Sequence, residues 1–237
     1  KTVFSIHNLG YQGIFAGDLF KDLALPAYLF SPEYLEFYGK LNCMKAGIIF
    51  SDWIVTVSPT YAKEIVSVEK GFGLDGLLNK FSYKLSGILN GVDYTQWNPR
   101  IDPHIAYTYS SSSLDRKSLN KQDLFDELGI LKTSRVPLLA LISRISEQKG
   151  ITLLLKLLPL LLKEDLHFVI LGVGDDSLTV RLKEMADRFP DKLTFLNCFD
   201  EKKAHQLEAA ADIFFMPSVY EPCGLNQIFS LKYGTVP

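Results

Sequence analysis

Cysteine is scarce: the 237 residues hold three, Cys43, Cys198 and Cys223. An odd number spaced this far apart fits neither a disulfide framework nor the paired spacing of a zinc site. A reducing cytoplasm is the expected compartment. Positive charge is not in excess either, since 25 Lys and Arg stand against 27 Asp and Glu, a formal −2. That balance argues against nucleic acid or an anionic membrane surface as the main partner. Long hydrophobic runs are missing as well. The longest, Ile151 to Leu162, is broken by Lys156 and Pro159 and falls short of the ~18 apolar residues that a spanning helix needs. The opening Lys1-Thr2-Val3-Phe4-Ser5-Ile6 reads as a strand and has no secretory layout. There is no repeat of solenoid period, and no low-complexity tract beyond Ser110 to Ser113.

What remains is an ordinary folded composition, 47% hydrophobic and 22% charged. Apolar, β-branched runs recur at Val3–Ile6, Trp53–Val57, Gly87–Leu89, Leu138–Ile142, His167–Leu171, Leu193–Leu196 and Ile213–Met216. Segments of helical length lie between several of them, the βαβ pattern of a parallel sheet covered on both faces. In the second half helices are expected at 150–163, 178–189, 202–211 and 225–233, giving four βα units of a doubly wound, Rossmann-like sheet. Ser58-Pro59 opens a helix reaching Lys70, and Gly129 closes the one carrying Leu124, Phe125 and Leu128. The stretch from Asn98 to Asp115, with two prolines and the serine run, reads as the connection between two α/β halves, 1–96 and 97–237. Both ends look cut within a sheet, so a longer gene product is expected.

Four segments could carry chemistry. Gly71-Phe72-Gly73-Leu74-Asp75-Gly76 matches the dinucleotide fingerprint in form, but it follows an expected helix where the fingerprint requires a strand. A nicotinamide- or flavin-dependent oxidoreductase would rest on it alone. Gly172-Val173-Gly174-Asp175 follows a strand at a ligand-binding edge, and its glycines serve either a ligand or a tight turn. Ser143 to Gly150 leaves a strand and opens a helix, so Arg144 and Lys149 offer two cations beside free helix amides, a good seat for a diphosphate. As plain surface charges they would mean nothing. Tyr220 to Gln227 supplies Glu221, which can accept hydrogen bonds from sugar hydroxyls, and the amides of Cys223, Gly224 and Leu225. Cations and a carboxylate at two strand ends of one half suit a nucleotide sugar. In the first half His7-Asn8 and Asn90-Gly91 also sit at strand ends, where a structural role is the commoner one.

Taken together, His7-Asn8 with Tyr11-Gln12-Gly13, Val57 to Ala62, Leu89 to Asp93, Ser143-Arg144 with Gln148 to Gly150, and Glu221 to Leu225 resemble the bacterial glycogen synthases and plant starch synthases. The motifs run in that family's order across the whole chain. The resemblance implies an α/β fold of the GT-B type: two Rossmann-like halves, both truncated here, with parallel sheets and the active site in an interdomain cleft. It implies retaining transfer of glucose from ADP-glucose, a donor substrate and not a cofactor, to the nonreducing end of an α-1,4-glucan. No metal and no cofactor are expected. Arg144 and Lys149 then resemble the pair that neutralises the leaving diphosphate, and Glu221 the carboxylate that faces the donor glucose. Cys223, Gly224 and Leu225 would bind its oxygens, and His7 and Asn90 would close over the glucosyl unit. Phe229 stands where sucrose and trehalose-phosphate synthases often have a second glutamate, which favours the starch and glycogen branch. The family's lysine- and glycine-rich N-terminal loop and its later threonine–glycine–glycine segment are not in these 237 residues, so the stretch by itself is expected to be inactive. The other readings are another retaining GT-B glycosyltransferase or a non-catalytic glucan-binding relative.

Overall fold

The computed structural model describes residues 1–237, and the chain divides into two compact units, Lys1–Gly91 and Val92–Pro237. In chain order the first unit contains strands β1 (Val3–Ile6), β2 (Ile14–Ala16), β3 (Glu36–Phe37) and β4 (Lys40–Asn42), then helix α1 (Cys43–Phe50). Strand β5 (Trp53–Thr56), helices α2 (Pro59–Glu64) and α3 (Asp75–Lys80), and strand β6 (Leu85–Gly87) complete it. A parallel sheet of order β1-β5-β6 is the frame, and the antiparallel β2-β4-β3 sheet beside it has no counterpart in the sequence reading. Ile6 and Ile54 are fully buried, as their alternation within short β-branched strands requires.

Helix α2 starts as expected: the Ser58 side chain accepts the Tyr61 N–H at 2.9 Å, and Pro59 takes the first helical position. It stops at Glu64, well before Lys70. The β-branched pair Ile65-Val66 is a poor helix former, and the Ser67 hydroxyl donates to the Glu64 carbonyl at 2.8 Å, giving that group a partner outside the helix. Strand β6 is likewise displaced from Gly87–Leu89 to Leu85–Gly87. A Cβ on Gly87 would lie 2.2 Å from the Ser58 carbonyl oxygen, so the glycine is where the strand meets the neighbouring turn. Ile88 and Leu89 already run out to solvent.

The second unit contains α4 (Lys117–Leu128), β7 (Leu138–Ile142), α5 (Ile151–Leu161), β8 (His167–Leu171), α6 (Asp176–Arg188), β9 (Leu193–Leu196), α7 (Glu201–Ala210), β10 (Ile213–Phe214) and α8 (Leu225–Tyr233). Its four strands pair in parallel in the order β10-β7-β8-β9. Strand alternation builds two cores from one sheet. Leu139, Leu141, Phe168 and Ile170 pack with residues of α5 and α6, while Leu138, Ala140, Val169 and Leu171 pack with residues of α4 and α7. That is why β7 and β8 read as unbroken apolar runs. β10 ends two residues sooner than expected: Phe215 N–H still donates to the Ala140 carbonyl at 2.7 Å, and Pro217 then turns away.

The stretch from Asn98 to Asp115 is not a free connection. Asp102, Ile105 and Tyr109 are buried, and the Tyr109 hydroxyl donates to the Tyr233 carbonyl at 2.8 Å, so it belongs to the second unit. The contact division falls at Gly91/Val92, where the sequence had placed the boundary at 96/97. No helix is long and apolar enough to cross a membrane.

His167, fully buried in β8, lies 2.8 Å from the Thr194 hydroxyl through Nε2. Burial pushes its imidazole down to about 4. The unfolded chain binds that proton near pH 6.5 and the folded chain does not, so this stability is complete above about 6.5 and is lost as pH falls towards 4. A His167→Gln variant lacks this component. Between pH 7 and pH 4.5 the unfolding free energy of the unaltered chain is expected to fall by about 2 kcal/mol more than that of the variant, as measured by urea unfolding.

Candidate active site

The carboxyl end of β7 runs into the loop from Ser143 to Gly150, which opens α5. Gly150 has φ +71°, and a Cβ there would lie 1.9 Å from the Pro217 carbonyl oxygen, so only glycine allows this approach. The two loops are then fastened by Val219 N–H donating to the Gln148 carbonyl at 2.9 Å. Lys149 Nζ reaches Glu221 Oε1 at 2.5 Å, and the Ser218 hydroxyl donates to the same oxygen at 2.7 Å. Both charged side chains keep about a fifth of their surface exposed, 20% and 19%. They are desolvated enough for a strong pair and open enough for a ligand to replace one partner.

Gly224, at φ +74°, caps α8 without a side-chain hydrogen bond. The first-turn amides of that helix have no intrahelical acceptor and carry the positive end of its dipole. Asn226 Nδ2 donates to the Ile142 carbonyl at 2.7 Å, which ties the start of α8 to the end of β7. Cys223, Gly224 and Leu225 are thus held at the same sheet edge as the Arg144–Lys149 loop.

Beside them lies a cavity of about 460 Å³ at the carboxyl ends of β7, β8 and β9. Arg144, Lys149 and Asn226 line it together with apolar side chains, among them Val173, Phe199 and Phe229. Cations next to an apolar hollow can hold an anion joined to a flat, weakly polar group. Gly172 and Val173 line the same cavity, and packing requires glycine at both 172 and 174. Cβ atoms there would lie 1.8 Å from the Ser143 carbonyl oxygen and 2.1 Å from that of Ile145. Their absence lets Ile145 N–H donate to the Val173 carbonyl at 2.9 Å and Asp175 N–H to the Ile145 carbonyl at 2.8 Å. Asp175 caps α6 by accepting the Leu178 N–H at 3.0 Å.

His7 and Asn90 belong to the first unit. They follow β1 and β6, which flank β5 in one parallel sheet, so both stand at its carboxyl edge. His7 is exposed, with Nε2 3.3 Å from the Ser5 hydroxyl. The dinucleotide fingerprint is not realised: Gly71 and Gly73 lie in the turn between α2 and α3, Gly76 lies within α3, and the element directly before them is a helix, not a strand. Buried Gln12 holds that turn, donating to the Phe72 carbonyl at 2.9 Å and accepting from Asn42 at 2.7 Å. No three or more His, Cys, Asp or Glu side chains are grouped to hold a metal ion.

Sequence reasoning missed Ser218 and Trp97. Ser218 stands three residues before Glu221, the spacing at which a hydroxyl can reach back to a carboxylate. Trp97 is an isolated tryptophan in a polar stretch after the Asp93 turn, where Asp93 Oδ1 accepts the Thr95 N–H at 2.9 Å.

Comparison with known proteins adds independent findings. The family described as Starch synthase catalytic domain matches residues 1–80, and Glycosyl transferases group 1 matches residues 123–237. The glycogen synthase of Cellvibrio japonicus is 50% identical over 236 residues, all of this chain and 49% of that protein. Glycogen synthase 2 of Nitrosococcus oceani is 47% identical over 236 residues, all of this chain and 48% of that protein. Among solved structures, the catalytic domain of starch synthase IV from Arabidopsis thaliana, bound to ADP and acarbose, superposes with a TM-score of 0.93 at 35% identity. It covers 99% of this chain and 49% of that one. Anabaena Alr3699/HepE, in complex with UDP and glucose, shares the fold alone, with a TM-score of 0.57 at 16% identity over 98% of this chain and 50% of that one.

Two α/β units built on parallel sheets, with these structural neighbours, define a glycosyltransferase fold of the GT-B type. Within that class the chain belongs to the glycogen and starch synthase family. It spans about half the length of the curated relatives it matches.

The backbone contact that assembles the site can be tested by one methyl group. Gly150→Ala is expected to destabilise the fold by about 2–4 kcal/mol. Gly129→Ala, at φ +67° but with nothing within 4 Å of the new Cβ, should cost only about 1 kcal/mol. Denaturant unfolding of the two variants checks the difference.

Proposed function

We propose that the complete protein is a glycogen or starch synthase, transferring glucose from ADP-glucose to the nonreducing end of an α-1,4-glucan with retention of configuration. The observation that carries this reading is the Lys149–Glu221 contact at the edge of a cavity that Lys149 shares with Arg144. Relatives named glycogen synthase and a neighbour bound to ADP support it.

Cleavage of the C1–O bond builds positive charge on the glucosyl unit and negative charge on the departing diphosphate. Arg144 and Lys149 stabilise that negative charge more in the transition state than in the ground state, which is what lowers the barrier. Before the donor arrives, Glu221 serves as the counterion of Lys149. A diphosphate oxygen taking its place on Lys149 leaves Glu221 Oε1 free to accept a hydrogen bond from a sugar hydroxyl, with Ser218 keeping the carboxylate in position. The amides of Cys223, Gly224 and Leu225 hold oxygens at the start of α8. Contact with the glucosyl unit by His7 and Asn90 is part of the same proposal. No cofactor or metal is invoked. A cytoplasmic setting, or a plastid if the source is a plant, suits three free cysteines.

The test is incorporation of glucose into glycogen by the complete protein, with ADP-glucose and UDP-glucose compared and the anomeric configuration of the new linkage determined. Transfer from ADP-glucose with an α linkage is expected. No transfer from either donor would remove the reading. Arg144→Ala and Lys149→Ala should each lower kcat by at least about a hundredfold, and near-normal turnover in either would cancel the leaving-group role. The 237-residue stretch assayed alone is expected to be inactive, as it spans about half of its relatives' length.

A further inference from the structure

The transfer chemistry leaves one feature of the cavity unused, an aromatic column behind its wall. Trp97 stands between two rings. Its plane lies 3° from that of Phe229 with centroids 4.0 Å apart, and 13° from that of His205 with centroids 3.8 Å apart. Trp97 and Phe229 both line the cavity, whereas His205 is buried behind them. His205 Nδ1 pairs with Asp102 Oδ2 at 2.8 Å, and that oxygen also accepts the Tyr233 hydroxyl at 2.5 Å. The other carboxylate oxygen accepts the His104 N–H at 2.9 Å. Burial opposes the charge on Asp102, yet the hydrogen bonds from His205 and Tyr233 outweigh it and keep the carboxyl below its usual range. A buried anion with three donors is therefore the fixed end of a stack whose other end faces the cavity.

The column also joins separate parts of the unit. Trp97 and Asp102 come from the chain just after Val92, His205 from α7, and Phe229 and Tyr233 from α8. A plain packing role would not require the last ring of the stack to be a cavity wall. Aromatic faces attract flat heterocycles, and a ring held rigid beforehand loses little freedom when a ligand settles on it.

We propose that Trp97, backed by the Asp102–His205 pair, is a positioning residue for the nucleotide donor: it fixes Phe229 as an aromatic wall and so sets how tightly the cavity holds the flat heterocycle of the nucleotide. It does not take part in the transfer step. This rests on the reading of the cavity as the donor's site.

The test uses the complete protein with ADP and inorganic pyrophosphate as probes. Trp97→Leu should weaken ADP binding and raise the donor KM by about tenfold, roughly the worth of one stacked contact. Its kcat should stay near normal, and inhibition by pyrophosphate, which lacks the heterocycle, should be unchanged. Trp97→Phe should restore most of the loss. Should Trp97→Leu fail to fold, Phe229→Leu decides instead. It leaves the Asp102 pair intact and should give the same split, with Phe229→Tyr recovering affinity. Equal losses for ADP and pyrophosphate, a fall in kcat at constant KM, or unchanged affinity in a folded variant would each overturn the positioning role while leaving the transferase reading in place. If the unaltered protein binds no ADP, the nucleotide reading of the cavity fails first and this role falls with it.

Discussion

The joining of Lys149 to Glu221 depends on a contact that contains neither residue, the approach of the Gly150 backbone to the Pro217 carbonyl. A side chain at 150 would meet that oxygen at 1.9 Å, so glycine decides where α5 can begin. Pro217 stands where β10 has stopped pairing with β7, and Val219 then donates to Gln148. Two loops that leave adjacent strands are thereby pinned side by side, and a cation and a carboxylate 72 residues apart in sequence share one hydrogen bond. Helix α8 is aligned to the same edge by Asn226 and the last carbonyl of β7. The chemistry at this edge is the consequence of a steric fact about backbone.

This explains which parts of the structure could be read from sequence. Strands β7 and β8 carried their boundaries in their composition, because residues buried on both faces leave a nearly unbroken apolar run. The cations and the carboxylate were legible as residue types at strand ends. Their contact was not, since nothing in the order of residues says that Gly150 approaches Pro217. The first unit was less legible. Its β2-β4-β3 sheet has strands of two or three residues, too short for alternation to register. The end of α2 was set by a serine hydroxyl and not by a glycine. The stretch from Asn98 to Asp115 has the composition of a linker, but Asp102 and Tyr109 bond to partners more than a hundred residues away. Local composition cannot report such partners.

The second unit uses charge in two ways that burial separates. Lys117 is buried and donates to the Glu208 and Ala209 carbonyls and to the Thr235 hydroxyl, closing the carboxyl end of α7. Burial lowers its ammonium to about 7 and raises the carboxyl of Glu208 to about 8. Lys117 has exchanged water for fixed protein partners, whereas Glu208 accepts the Ser230 hydroxyl through Oε2 at 2.8 Å and leaves Oε1 buried without one. Lys149 and Glu221 are of the same residue types in a different situation, since each retains some contact with solvent. Their pairing is firm enough to orient both and weak enough to exchange for a ligand.

The formal charge of −2 constrains how an anion can be held here. A chain without a basic excess has little long-range field to gather anions, so attraction has to come from a few groups at short range. Arg144, Lys149 and the amide end of α8 meet that need, but two cations at a partly apolar hollow would repel each other if nothing balanced them. Glu221 supplies the balance in the free protein, occupying Lys149 with one negative charge. Under the proposed function, a diphosphate, which carries more charge than one carboxylate and can bond Arg144, Lys149 and helix amides at once, would displace Glu221 without leaving Lys149 unpaired. The displaced carboxylate would then be available for the uncharged sugar of that proposal. A single ion pair therefore offsets one of the two cations at this edge in the free protein, and under the proposed function it gives the site a directed change on binding.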